Sequence, residues 1–355
     1  MKVLSKSLGK KHQHFIQYNI IDSMDIFLIN NPVDFYGMDY GFIAWLLVDK
    51  KNDVNILVEI GPAAAVDIVK ETIDYLGIER IDYILLTHIH LDHAGGLGHI
   101  LKYYPDAMVY ASKLGRKHIV EPDKLWDSSV KVLGKKLTDA YQKVIGIPEK
   151  NVLKEKPMIE GLSIIETPGH APHHETFIFE REGAQLIFCG EAAGMIYGLA
   201  ERELVLEEGA VNEPTHIYLY PATIYRFEYD VSENSIRKLI SLAQKENCYL
   251  FYSHYGVAEK GKMMLEANYT QLSLWKDMIA KAVNSRLDMG DDPLDKTFLK
   301  GLTDKLIETD PYLSDYSNYK KDVKRAQYRY ILNSVYGIAD WAVRNNQQYH
   351  TGLSL

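Results

Sequence analysis

The chain of 355 residues has only two cysteines, Cys189 and Cys248. So few thiols argue against a disulfide framework and fit a reducing compartment, so we expect a cytoplasmic protein. Residues 1–15 carry positive charge but no apolar core, and they are therefore not expected to form a secretory signal. The longest apolar run, GFIAWLLV at residues 41–48, is far shorter than the roughly 20 residues of a membrane-spanning helix. We expect no membrane association.

An excess of basic charge is also missing. The chain carries 48 acidic and 40 basic residues, a formal net charge of -8, so a broad attraction to nucleic acid is not expected. With 46% hydrophobic and 25% charged residues, the composition is that of a globular protein. The 13 histidines are unusual because they are bunched along the chain.

Apolar periodicity predicts a β-rich first part, an alternating middle and a helical end. Strands are expected over residues 15–29, 41–48, 54–60, 81–86, 108–111, 162–166, 176–179, 185–189 and 249–252. Helices are expected over residues 64–76, 98–104 and 233–244, with helical material between residues 113 and 145. From residue 262 onward the apolar spacing is helical throughout. We therefore divide the chain into a region of residues 1–258 and a helical region of residues 259–355.

The clearest chemical signal is the segment THIHLDHAGG at residues 87–96, which follows a predicted buried strand. It places His88, His90, Asp92 and His93 within six residues, a pattern expected by chance in roughly one such chain per thousand. Neutral imidazoles with a carboxylate and no thiolate suit zinc, iron or manganese. The alternative is a surface loop of histidines without metal, and the position at a strand end argues against it.

Three later residues offer further ligands, each after a different predicted strand. They are His170 in the turn TPGHAPHH, Glu191 after Cys189, and His254 after Ser253. A lone histidine after a strand is more often a hydrogen-bonded turn residue, so the argument rests on their coincidence. A rigid sheet brings together residues that are distant in sequence, and we therefore expect one metal site.

Taken in order, the segments THIHLDHAGG, TPGH, CGEAAG and SHYG make residues 15–258 resemble the metallo-β-lactamase superfold. The resemblance implies an α/β protein with a four-layer αβ/βα sandwich and a two-metal site along one edge. The chain would add an all-helical C-terminal extension to this sandwich. Glyoxalase-II-like thioesterases of this superfamily also append a helical region.

The resemblance also assigns the ligands. His88, His90 and His170 match the ligands of the first metal, and Asp92, His93 and His254 match those of the second. Glu191 stands where most relatives have a bridging aspartate, and Glu59 matches an aspartate that orients a ligand from behind. Each change adds one methylene and keeps the charge, so it stays open whether one or two metals bind. His174 matches a histidine expected to hydrogen-bond behind the ligands.

The other conspicuous side chains have less specific interpretations. His173 is expected to be a solvated turn residue, and Cys189 a buried core thiol. Tyr220, Tyr225 and Tyr255 lie near the last ligand segments in the sequence. They would either line a substrate pocket or pack between sheet and helix.

Two divalent metals about 3.5 to 4 Å apart would give a bridging water a pKa near neutrality, and the resulting hydroxide favours hydrolysis. Asp92 and Glu191 would hold metal and accept hydrogen bonds from this water, with Asp92 as the better proton shuttle. The chain shows no competing serine or cysteine triad and no phosphate-binding loop. We therefore predict a metallo-hydrolase with two metal ions, zinc before iron or manganese.

The predicted substrate is a small acyl compound, a thioester or a lactone. The helical region would form a pocket wall or a homodimer contact. Two alternatives stay open: an iron oxidoreductase that resembles a sulfur dioxygenase, with one or two iron ions on the same ligands, and a metabolite sensor with little turnover. The sequence does not decide among them, because a fold leaves selectivity to its loops.

Overall fold

The structure is a computed structural model, and it describes residues 2–8, 14–31, 41–197, 218–224, 226–319 and 321–352. Its strands are β1 Lys2–Leu8, β2 His14–Ile21, β3 Met24–Asn30, β4 Ile43–Asp49, β5 Val54–Val58, β6 Tyr83–Leu85, β7 Met108–Tyr110, β8 Leu162–Glu166, β9 Glu175–Arg181, β10 Ala184–Gly190, β11 Met195–Tyr197, β12 Tyr218–Tyr220, β13 Asn247–Tyr252 and β14 Val257–Ala258. Its helices are α1 Val66–Tyr75, α2 Leu91–Ala94, α3 Leu97–Ile100, α4 Arg116–Val120, α5 Asp123–Leu133, α6 Lys135–Tyr141, α7 Tyr229–Leu242, α8 Gly261–Asp288, α9 Lys296–Thr309 and α10 Lys321–Gly352. Short 3-10 helices lie at Ala63–Ala65, Glu149–Asn151 and Pro311–Asn318.

Two sheets carry most of the strands. The first has the order β1-β2-β3-β4-β5-β6-β7, antiparallel up to β5 and parallel from β5 to β7. The second has the order β14-β13-β10-β9-β8, and its strands β10 and β13 are parallel. Strands β11 and β12 form a separate antiparallel ribbon. Because parallel strands end at the same edge of a sheet, the residues after β5 and β6 are neighbours, as are those after β10 and β13.

The two sheets face each other across an apolar core. Trp45 of the first sheet packs edge-on against Phe251 of the second, with ring centroids 4.9 Å apart, and Phe251 stacks on Phe188. Helices α1 and α3 cover the outer face of the first sheet, and α7 and α8 cover that of the second. The predicted four-layer αβ/βα sandwich is confirmed.

Helices α8, α9 and α10 form the predicted helical C-terminal region. Their apolar residues, such as Trp275, Leu306 and Val335, belong to the same continuous core as Trp45 and Phe251. Helix α8 begins at Gly261, close to the proposed boundary, but the division at residue 258 stays a prediction. Among the described residues, no helix combines the length and the apolar composition needed to cross a membrane.

Several local predictions differ from the structure; for example, the helix expected over residues 98–104 ends at Ile100. The strand expected over residues 15–29 is broken at Asp22 and Ser23, whose backbone N–H groups donate to the Glu182 carboxylate at 2.7 and 3.0 Å. The helical material between residues 113 and 145 is three helices, since Pro122 precedes α5 and Gly134 has φ 82°. Strands β1, β11, β12 and β14 were not expected from the sequence.

Candidate metal centre

The predicted ligands meet at one edge of the sandwich. His88 and His90 follow β6, Asp92 and His93 lie in the short helix α2, and His170 lies in the loop after β8. Glu191 directly follows β10, and His254 lies two positions after the end of β13. The two sheets are hydrogen-bonded together here, because the backbone N–H of Glu175 donates to the Thr87 carbonyl at 2.8 Å.

One group of side chains contains His88, His90, His170 and Glu191, whose donor atoms lie within 4.8 Å of one another. Nδ1 of His90 lies 2.9 Å from Nε2 of His88 and 3.0 Å from Nε2 of His170. Oε2 of Glu191 lies 2.9 Å from His170 Nε2 and 3.2 Å from His88 Nε2. The four groups therefore aim at a common point.

The adjoining group contains Asp92, His93 and His254, again within 4.8 Å. Asp92 Oδ2 lies 3.7 Å from His93 Nε2. Glu191 belongs to this group's surroundings as well, because its Oε2 lies 3.3 Å from His93 Nε2 and its Oε1 3.5 Å from His254 Nε2. Glu191 thus contacts histidines of both groups, which is the position expected of a bridging carboxylate.

Hydrogen bonds at the far nitrogens orient the imidazoles. His170 Nδ1 donates to the Ala222 carbonyl at 2.9 Å, and His254 Nδ1 donates to the Gly41 carbonyl. His88 Nδ1 lies 3.0 Å from the Thr87 hydroxyl. In each case the proton sits on Nδ1, so the lone pair of Nε2 faces the cluster.

Glu59 lies behind the cluster, as the resemblance implies. Its Oε1 accepts hydrogen bonds from the Thr87 N–H at 3.2 Å, from the Thr87 hydroxyl and from the Ser253 hydroxyl at 3.3 Å. Its Oε2 lies 3.7 Å from His93 Nδ1. Because Thr87 Oγ1 donates to Glu59, it accepts the proton of His88 Nδ1. Through Thr87, Glu59 therefore orients His88, and its second carboxylate oxygen lies beside His93.

His174 holds the backbone of Glu191 by a hydrogen bond. Its Nε2 accepts the backbone N–H of Glu191 at 3.2 Å, and its Nδ1 lies 2.9 Å from the Thr167 hydroxyl. This close packing requires glycine at position 190, which has φ 55° and where a Cβ would lie 2.5 Å from His174 Nε2. The hydrogen-bonding role predicted for His174 agrees with this geometry.

Burial and neighbouring charges set the protonation states. Burial, together with His93 and His90, holds the pKa of His88 well below its ordinary value, and burial with His170 does the same for the pKa of His90. Burial lowers the pKa of His93 too, but the carboxylates of Asp92, Glu191 and Glu59 raise it to about 10. His88 and His90 are therefore neutral, the form that binds metals.

These residues fit a divalent metal. Glu59 Oε2, His93 Nε2 and His254 Nε2 are buried and form no hydrogen bond of ordinary geometry with the described residues. Such atoms are costly unless something else satisfies them. A donor set of imidazoles and carboxylates without thiolate suits zinc, and also iron or manganese.

Comparison with known proteins identifies the fold. A sequence profile of the Metallo-beta-lactamase superfamily matches residues 39–254, which include every predicted ligand. The chain belongs to the metallo-beta-lactamase superfamily. A metallo-beta-lactamase family protein from Thermus thermophilus shares the fold at 16% identity, with a TM-score of 0.54 over 90% of this chain and 94% of that one.

Curated relatives of this superfamily are more similar in sequence over shorter stretches. A metallo-beta-lactamase fold-containing protein of Sulfurisphaera tokodaii is 33% identical over 138 residues, 35% of this chain and 49% of the relative. A hydroxyacylglutathione hydrolase of Francisella philomiragia is 31% identical over 139 residues, 39% of this chain and 44% of the relative. The chain thus spans less than half the length of these two relatives.

His173 differs from its expected position in this superfamily member. His173 is half-buried rather than solvated, and its ring stacks against His88 with centroids 6.2 Å apart. Burial lowers the pKa of His173 to about 4, with a further contribution from His170. The His173 ring also lies 5.9 Å from the His90 ring, so it is beside the predicted ligands. Only its position between two predicted site residues could have indicated this.

Two of the three predicted pocket tyrosines, Tyr220 and Tyr255, are buried beside the site. The Tyr220 hydroxyl donates to Gln327 Oε1 at 2.8 Å, and Gln327 Nε2 donates to the Tyr255 hydroxyl at 2.9 Å. Tyr225 lies outside the described residues. Gln327, on α10, was missed by the sequence analysis because its partners are 107 and 72 residues away. Cys189 is a buried core thiol, as predicted.

Proposed function

We propose that this superfamily member is a metal-dependent hydrolase of a small acyl compound, a thioester or a lactone. The observation that carries the proposal is the convergence of two ligand groups on one carboxylate, Glu191. One group would use His88, His90 and His170, and the other Asp92, His93 and His254. The likeness to a hydroxyacylglutathione hydrolase supports a thioester of a small thiol as the first substrate to test.

Divalent metals bound here would polarise the substrate carbonyl and bring the pKa of a water molecule toward neutrality. Asp92 is the more accessible of the two carboxylates at the site, with 21% of its side chain exposed against 7% for Glu191. Asp92 therefore accepts the proton of the attacking water and passes it to solvent or to the leaving group. The buried Glu191 keeps its charge and orients the histidines around it.

The tyrosines contribute the wall of the site on the helical side. Tyr255 directly follows His254, and its hydroxyl is held by Gln327 of α10. In this proposal the C-terminal helices close one side of the substrate pocket through Tyr220 and Tyr255, with Tyr225 a further candidate. Zinc is the proposed metal, since the donor set lacks thiolate and is rich in imidazole.

The test combines metal analysis with a substrate panel. Purified full-length protein would be assayed for zinc, iron and manganese content, and for hydrolysis of glutathione thioesters, lactones and phosphodiesters. We expect His88→Ala and Asp92→Ala to lose metal and activity, whereas His99→Ala, which removes an imidazole bonded to the Lys143 carbonyl, should lose neither. Unchanged metal content in His88→Ala and Asp92→Ala would refute the site. Iron with oxygen consumption would favour an oxidoreductase instead.

A further inference from the structure

The loop of residues 221–224, directly after β12, reaches the metal centre through one backbone atom. The Ala222 carbonyl accepts the Nδ1 proton of His170 at 2.9 Å. This hydrogen bond turns Nε2 of His170 toward His90 Nδ1, at 3.0 Å, and toward Glu191 Oε2, at 2.9 Å. The position of Ala222 therefore decides where the His170 lone pair points.

This loop is fastened to the C-terminal helix α10. The buried Thr223 hydroxyl donates to the Ser334 carbonyl at 2.5 Å. Further along the helix, Asp340 Oδ2 accepts the backbone N–H of Arg226 at 3.3 Å. Arg344 then donates to the Phe227 carbonyl at 2.6 Å. Positions 334, 340 and 344 lie along one side of α10, and they hold the chain on both sides of residue 225.

Gly337, between these contacts, brings the helix backbone against the loop. A Cβ at position 337 would lie 2.6 Å from the Ile224 carbonyl oxygen and 2.8 Å from the Thr223 carbonyl carbon. Both are backbone atoms, so they can move away only if the loop itself moves. Any side chain at position 337 would displace the segment that carries Ala222.

From these contacts we infer that α10 is a positioning element for the metal site, with Gly337 setting the orientation of His170 through Ala222. The inference rests on the proposed function, since it assumes that His170 binds metal. The helical C-terminal region is then part of the metal centre's support, although it supplies none of the predicted ligands. Partners that orient metal ligands typically change metal affinity about 10- to 100-fold when they are altered.

The decisive variant is Gly337→Ala, and the matched control is Gly301→Ala in α9, where a Cβ would meet no atom within 4 Å. Zinc affinity would be measured on metal-free full-length protein by competition with a chromophoric chelator. We expect the metal position that uses His170 to lose about 10- to 100-fold in affinity in Gly337→Ala, and Gly301→Ala to match the wild type. The visible spectrum of the cobalt(II) form should change only in Gly337→Ala.

A second variant keeps the test decisive if Gly337→Ala fails to fold. Thr223→Val retains the shape of the side chain and removes its hydrogen bond to Ser334. It should weaken zinc binding in the same direction, while the thermal unfolding of the metal-free protein shows that it is folded. If Gly337→Ala folds and keeps the zinc affinity and the cobalt spectrum of the wild type, the inference about α10 is wrong, whereas the proposed metal site still stands. If only Thr223→Val folds, the same result in that variant has the same meaning. Absence of zinc binding by the wild type would overturn the proposed metal site and this inference together.

Discussion

Oε2 of Glu191 lies 2.9 Å from Nε2 of His170. The same oxygen lies 3.2 Å from Nε2 of His88 and 3.3 Å from Nε2 of His93. Burial raises the pKa of the Glu191 carboxyl, but His170 and the other surrounding histidines hold it well below its usual range. A single ionised carboxylate therefore joins the two ligand groups, despite being one methylene longer than the aspartate that the resemblance places here.

Replacing this carboxylate by its amide tests its bridging role. Glu191→Gln keeps the size of the side chain but removes its charge, so we expect at least one metal ion per chain to be lost. Hydrolysis should fall by about 100-fold or more, the upper end of what changes around metal ligands cost. Elemental analysis and steady-state kinetics measure both effects. Glu175→Gln is the matched control, because Glu175 is also buried but outside the ligand groups; equal metal content in the two variants would contradict the role.

Glu59 allows a test of whether a residue behind the proposed ligands affects metal binding. Glu59→Gln leaves every proposed ligand in place but weakens the hold on Thr87 and His93. We expect zinc affinity to fall about 10- to 100-fold, with a smaller change in the stability of the metal-free protein. Chelator competition measures the affinity, and thermal unfolding after metal removal measures the stability. A variant that binds zinc as tightly as the wild type would show that Glu59 does not orient the ligands.

Metal removal should lower the stability of the folded protein. Zinc at 100 times its dissociation constant stabilises a folded protein by about 2.7 kcal/mol if it does not bind the unfolded chain. We therefore expect Tm to fall when a chelator is added and to recover when zinc is restored. The double variant His88→Ala, Asp92→Ala should show no such response. A chelator-induced shift of equal size in that variant would place the stabilising metal elsewhere.

A buried ion pair joins the two sheets at the edge opposite the metal centre. Nη1 of Arg181, in β9 of the second sheet, lies 2.6 Å from Oδ2 of Asp49, in β4 of the first. Removing one member of a buried ion pair costs about 3–5 kcal/mol, so Arg181→Met should be strongly destabilising. The control Lys50→Met breaks the exposed Lys50–Asp25 pair and should cost about 1 kcal/mol or less. Denaturant unfolding compares them. Similar losses in both variants would contradict the expected stabilisation by the buried pair.

The same pair predicts a pH dependence. Burial raises the pKa of Asp49, but hydrogen bonds from Arg181 and Asn52 outweigh it and lower the pKa below its ordinary value. A carboxyl with a depressed pKa in the folded state contributes stability above its unfolded pKa and loses it as the pH falls through the folded value. The cost of Arg181→Met should therefore be full near pH 7 and shrink below about pH 4. A cost that stays constant down to pH 2 would rule out this linkage.

The sequence predicted the candidate metal ligands better than the groups that orient them, and the reason is physical. His88, His90, Asp92 and His93 lie within six residues and carry their chemistry in their side chains, so a single motif reveals them. The groups that orient His170 and His254 are the backbone carbonyls of Ala222 and Gly41, which any residue could supply. No residue type signals such a contact. It depends on how distant segments pack, as the role of Gly337 also illustrates.

The tyrosines show a second kind of contact that the sequence does not reveal. Their clustering in the sequence fitted either a pocket or packing between sheet and helix. The structure shows that Tyr220 and Tyr255 share Gln327 of α10, and both hydroxyls are buried. Hydrophobic periodicity predicted the helix, but it gives no information on which polar residue of that helix meets which strand. The four-layer architecture was predictable because the order of the motifs resembles that of the metallo-β-lactamase superfold, which implies it.

The hydrogen bond between His254 and the Gly41 carbonyl joins residues 213 positions apart. That between His170 and Ala222 spans 52 positions, and Thr223 is tied to Ser334 across 111. Closing the loops between such distant segments costs entropy, and this cost rises with their separation along the chain. The imidazoles are therefore fully oriented only when all of these segments have come together. Tight uptake of metal would then mark the last stage of the chain's maturation, after the C-terminal helix has docked.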